Sequence, residues 1–103
     1  MQKIGILSFI VLSATAIGRP ATAANSEMGS AFARQWCANC HVVGEPAPGT
    51  VQQGPPSFRS VARSGLSNDQ LRAFLSHPHG AMPDLTLSRA EIDDLLAYIA
   101  SLR

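Results

Sequence analysis

Trp36-Cys37-Ala38-Asn39-Cys40-His41 holds both cysteines of this 103-residue chain, two residues apart, with a histidine directly behind the second. Thiols paired at that spacing serve several unrelated chemistries, and their neighbours decide among them. The residues before Trp36 and after His41 therefore govern both the fold and the use of the two sulfurs.

The chain upstream of the domain reads as a targeting segment. Lys3 supplies a short positive region, and Ile4 to Ile17 is apolar apart from Gly5, Ser8, Ser13 and Thr15. Ala21-Thr22-Ala23 then fits the small-residue rule for signal cleavage. Residues 1–23 are expected to be a cleaved signal peptide, leaving one domain of 80 residues, 24–103. Fourteen residues from Ile4 to Ile17 fall short of the roughly 20 that cross a bilayer. No stable membrane insertion is expected after cleavage.

Losing residues 1–23 removes Lys3 and Arg19 from eight basic residues, so six stand against seven acidic, a formal charge of −1. That balance gives no reason to expect nucleic acid or an anionic membrane as partner. Lys3 is the chain's only lysine, so every cation of the mature domain is an arginine. A domain of this size rarely supplies more than about 3 to 5 kcal/mol from one core, and a disulfide closing so short a loop would add little. A large apolar cofactor would complete such a core.

The fold class expected is all-α, with about four helices and no strand of period-2 pattern. The first runs from about Ser26 to Trp36, with Met28, Ala31, Phe32 and Gln35 along one stripe and Gly29, Ala33 and Trp36 beside it. Val42 to Pro56, rich in Gly and Pro (GEPAPGTVQQGPP), excludes a regular element and forms a long loop of the kind that is usually functional. A short helix fits Ser57 to Arg63, with Phe58, Val61 and Ala62 on one face and Gly65 near its end.

Two further helices carry explicit start signals. Leu66-Ser67-Asn68-Asp69-Gln70-Leu71 places serine at the N-cap, glutamine at N3 and leucines as a hydrophobic staple, and Leu87-Ser88-Arg89-Ala90-Glu91-Ile92 repeats the device. The earlier helix should turn Leu71, Phe74 and Leu75 inward and stop before Pro78. The last should bury Ile92, Leu95, Leu96, Ile99 and Leu102. Between them HPHGAMPDLTL, residues 77–87, stays non-helical and carries two histidines and a methionine.

With those elements placed, the readings of the paired cysteines separate. A redox dithiol of the thioredoxin kind opens a helix from a strand, whereas here a helix leads into the motif. Structural zinc needs four converging ligands, and Cys37, Cys40, His77 and His79 lack the usual spacing. A bare local disulfide leaves His41 and the incomplete core unexplained. CxxCH is the signature of c-type haem attachment: the two thiols add across the porphyrin vinyl groups and the adjacent histidine becomes an iron ligand. Export agrees with it, since haem attachment of this kind is periplasmic in bacteria.

CANCH after an N-terminal helix, Gly54-Pro55 downstream, AMPDL before a capped helix and a terminal DLLAYIASL together resemble a small bacterial class I cytochrome c. The likeness spans Ser26 to Arg103. It implies the cytochrome c fold, with helices wrapped round one haem c held by two thioether bonds at Cys37 and Cys40. It also implies that the first and last helices cross, with Gly29 as the small residue at the crossing. A backbone carbonyl should hold the ring N–H of His41, and the resemblance assigns it to Pro55. Arg59 and Arg63, four apart on one helical face, are candidates for a haem propionate, with a solvated face as the alternative. The absence of mature lysines departs from the lysine-ringed docking face of the mitochondrial relatives.

The position opposite His41 on the iron sets function. Met82, in the Met-Pro pair before the last helix, is the family-supported sixth ligand, its alternative being a core gap-filler. His77 and His79 are rivals that would lower the reduction potential, or plain loop histidines. The expected function is a monomeric periplasmic electron carrier, not an enzyme. It would cycle Fe(II)/Fe(III) between a periplasmic dehydrogenase or membrane complex and a terminal oxidase or reductase. A haem enzyme or gas sensor with an open sixth site, or a haem-free metal module, are the alternatives.

Overall fold

The computed structural model describes residues 13–15, 23–49, 53–78 and 80–103. Its elements are four helices, α1 (Ser26–Trp36), α2 (Phe58–Ala62), α3 (Asn68–Ser76) and α4 (Arg89–Ser101), with no strand among the described residues. Nearly all of the segment expected to be a signal peptide lies outside those residues.

Each helix begins where a side chain satisfies its free amides. Asn25 caps α1 by accepting from the N–H groups of Glu27 and Met28. Ser57, placed in the helix by the sequence pattern, is instead the N-cap of α2 and accepts from Ser60 N–H. Ser67 with Gln70, and Ser88 with Glu91, form complete capping boxes on α3 and α4. In each box the N3 side chain accepts the N-cap N–H in return, so two orphan donors are satisfied together. Leu66 is 44 % exposed, whereas Leu87 packs against the core, so only the second staple is seated.

The core is Ala33, Val43, Phe58, Leu71, Ile92, Leu95, Leu96, Tyr98 and Ile99. Five of these lie on α4, which touches all three other helices and packs most extensively along α1. Leu75, Val61, Ala62 and Leu102 cover the core from the side. Phe74, expected inward, keeps 37 % of its surface exposed.

α1 does not bury the stripe its large side chains suggest. Its buried residues are Gly29 and Ala33, while Met28 and Trp36 are 60 % and 52 % exposed. The cause is the closeness of α4. A β-carbon on Gly29 would overlap the backbone carbonyl of Asp94 and lie 2.9 Å from Tyr98 Cβ. Only the smallest residues of α1 fit there, and Met28, Ala31, Phe32 and Gln35 instead line a shallow hollow with Glu91 and Asp94. Asp94 also accepts the Asn25 N–H at 2.8 Å, which fastens the start of α1 to α4.

Candidate haem site

The end of α1 delivers the cysteines. Cys37 is the C-cap residue, its N–H returning to Ala33 O, and the next turn closes with Cys40 N–H to Cys37 O at 3.2 Å and His41 N–H to Cys37 O at 2.9 Å. One helix-like turn therefore presents both sulfurs and the imidazole together. Neither thiol is in a disulfide, Cys37 being half-buried and Cys40 exposed. Burial pushes the Cys37 thiol above its ordinary value.

His41 Nδ1 lies 2.6 Å from the carbonyl oxygen of Pro56. A carbonyl can only accept, so Nδ1 carries the proton and donates it, leaving the Nε2 lone pair free for a metal. Such a partner fixes the ring's tautomer and its orientation. The expected carbonyl was that of Pro55, and this is corrected: the contact falls one residue later, on Pro56. The physical reason is register. Phe58 N–H donates to Val42 O at 3.0 Å and the Phe58 ring is buried, so chain 56–58 is docked against chain 41–43. The residue two before Phe58 then comes level with His41.

An aromatic relay ties the same turn to the core. The His41 ring meets Phe58 edge-on at a centroid separation of 5.5 Å, and Phe58 stands 6.3 Å from Tyr98. Tyr98 donates its buried hydroxyl to Val43 O at 2.6 Å, joining α4 to the chain just after His41. Tyr98 was absent from the sequence-derived core, although its spacing from Leu95 and Leu102 would have found it.

The remaining candidates are more scattered. Met82 is half-buried in the segment between α3 and α4, on no helix. His77 is exposed at the C-cap of α3, its N–H donating to Ala73 O, and His79 lies outside the described residues. Arg63 is the exposed C-cap residue of α2. Arg59 pairs through its guanidinium with Glu45 across the loop, while its Nε is buried without a hydrogen-bond partner. The sequence reading missed Glu45 because loop closure, not local spacing, brings it to Arg59.

These residues fit a covalently attached haem. Two unbridged thiols and an imidazole with its distal nitrogen free occupy one turn, and Arg59 Nε is a buried donor lacking a protein acceptor. Among the described residues, which do not include His79, no group of three His, Cys, Asp or Glu side chains is arranged to hold a metal ion by itself.

Helices alone among the described residues, a CxxCH turn and a histidine held by a proline carbonyl form the arrangement expected of a small class I cytochrome c. The chain matches the family described as cytochrome c oxidase, cbb3-type, subunit III over residues 24–99, and it belongs to the cytochrome c family. It is 42 % identical over 95 residues to a protein named cytochrome c-552 from Bradyrhizobium diazoefficiens, an alignment covering 91 % of this chain and 90 % of that one. No solved structure matches it significantly. It is thus a haem-containing electron-transfer cytochrome whose haem c is bound covalently.

Proposed function

We propose that this protein is a periplasmic carrier of single electrons, with His41 and Met82 as the two axial ligands of one haem c anchored at Cys37 and Cys40. The observation that carries the reading is the hydrogen bond from His41 Nδ1 to Pro56, which leaves Nε2 as the nitrogen free to bind iron. The haem supplies the one-electron couple between Fe(III) and Fe(II). The protein contributes anchoring, ligand orientation and exclusion of water.

Filling both axial positions from the chain leaves no coordination site for a substrate, which separates a carrier from an enzyme. Small bonded shifts between oxidation states are favoured when both ligands are held by a packed scaffold. The link from His41 through Phe58 and Tyr98 to Val43 supports such a scaffold.

Residues 1–23 are read as the export signal and 24–103 as the working domain, which places haem attachment outside the cytoplasm. No described helix is long and apolar enough to cross a membrane. The partners are redox proteins met transiently through a small patch. A terminal oxidase is favoured on the accepting side, because the matched family is described as an oxidase subunit. Dehydrogenases or membrane complexes would stand on the donating side.

Redox titration of the purified holoprotein, followed in its visible spectrum, tests the reading. One reversible one-electron step with low-spin bands in both states and the weak red thioether-to-iron band in the ferric state is expected. A high-spin ferric spectrum would contradict it and favour an open-site haem enzyme.

A further inference from the structure

Thr86 has φ +51, and among the described residues it alone is a non-glycine with positive φ. A β-branched residue is poorly suited to that region, where glycine, asparagine or aspartate is at home. Conformations of this kind persist where the surroundings over-determine them, and they gather at ligand clamps. The Thr86 side chain is exposed, so no burial of its own explains the geometry. What holds it is local: Asp84 Oδ1 accepts the Thr86 N–H at 2.8 Å, an Asx turn across two residues.

The turn has a fixed end on each side. Downstream, Leu87 packs against the core and Ser88 caps α4. Upstream, Pro83 locks φ immediately after Met82. Met82 is half-buried, as are Leu85 and Leu87, while Ala81, Pro83, Asp84 and Thr86 are exposed, so Met82 is among the side chains this stretch turns towards the protein. Proline, Asx turn, left-handed residue and core contact succeed one another between Met82 and α4.

We propose that the Asp84–Thr86 turn is the positioning element that presents the Met82 thioether to the iron, transmitting the anchorage of α4 back along the backbone to the ligand. The inference rests on Met82 being the sixth ligand. Neither Asp84 nor Thr86 is assigned a contact with iron or haem. They act through the direction in which the chain leaves Leu87.

Imidazole, added to the ferric holoprotein, competes with Met82 for the sixth position, and its apparent affinity scales with the fraction of molecules whose thioether is released. Asp84→Ala removes the acceptor of one hydrogen bond and should raise that affinity about fivefold. Asp84→Asn keeps an oxygen for the Thr86 N–H and should stay near wild type. Thr86→Asn, at home in the left-handed region, should weaken imidazole binding. A turn that matters only to folding would shift the melting midpoint of Asp84→Ala and leave imidazole affinity unchanged, and that result overturns the proposal. Equal behaviour of Asp84→Asn and Asp84→Ala also overturns it, since charge and not the hydrogen bond would then be responsible. If the wild-type red band survives Met82→Ala, the ligand assignment itself fails, and the proposal falls with it. Loss of the band in Met82→Ala together with unchanged imidazole affinity in Asp84→Ala condemns the turn alone.

Discussion

Gly29 of α1 lies against the backbone carbonyl of Asp94 in α4 so closely that a β-carbon there would stand 2.6 Å from the Asp94 carbonyl carbon. The obstacle is main chain inside a helix, which cannot rotate away. Gly29→Ala should therefore push the helices apart and destabilise the holoprotein by about 2 kcal/mol or more, despite alanine's better helix propensity. Denaturant unfolding followed at the haem absorbance measures it. A Gly29→Ala protein as stable as wild type would mean that the helices do not approach as described.

Tyr98 and Val43 offer a second, more selective probe. Tyr98→Phe keeps the ring that meets Phe58 but leaves the Val43 carbonyl without its buried donor. A loss of about 1 to 2 kcal/mol is expected, with little change in helix content. Because Val43 lies two residues beyond His41, the variant should also loosen the segment that sets the imidazole. Amide exchange near Val43, compared between the two proteins, reports that loosening.

Met82→Ala should abolish the red band of the ferric protein and lower the reduction potential, because a soft thioether favours the ferrous state. His77→Ala should leave the band in place, since the exposed His77 side chain belongs to the end of α3. Potentiometry on the two variants decides between the methionine and histidine assignments.

The parts of this fold governed by local chemistry were readable from the sequence. Ser67 with Gln70 and Ser88 with Glu91 start α3 and α4 where the residue pattern put them, because a capping box is closed within four residues. The extent of α1 was equally plain, from Ser26 to Trp36. Its buried face was not. The residue pattern put Met28, Ala31, Phe32 and Gln35 on one stripe with Gly29, Ala33 and Trp36 beside it, and the approach of α4 selected Gly29 and Ala33 for burial. The crossing at Gly29 came from family likeness and not from periodicity, which cannot see how near a partner helix will stand.

The site divides in the same way. Cys37, Cys40 and His41 announce themselves by spacing, and one turn of backbone brings them together. The partner of His41 depends on how residues 56–58 dock fifteen positions away, and two adjacent prolines gave the sequence no means of choosing between Pro55 and Pro56. Thr86 shows the converse. Asp84, two residues earlier, is an ordinary Asx-turn signal, yet nothing in threonine itself forecasts a left-handed backbone.

The site can work as described only if Cys37 and Cys40 carry one haem through thioether bonds. Intact mass of the exported protein, produced together with a haem maturation system, tests this directly. The expected product is the polypeptide of residues 24–103 plus a single haem that survives acid and organic extraction, with loss of that increment when both cysteines are changed to alanine. A mature chain bearing no haem under those conditions would contradict it.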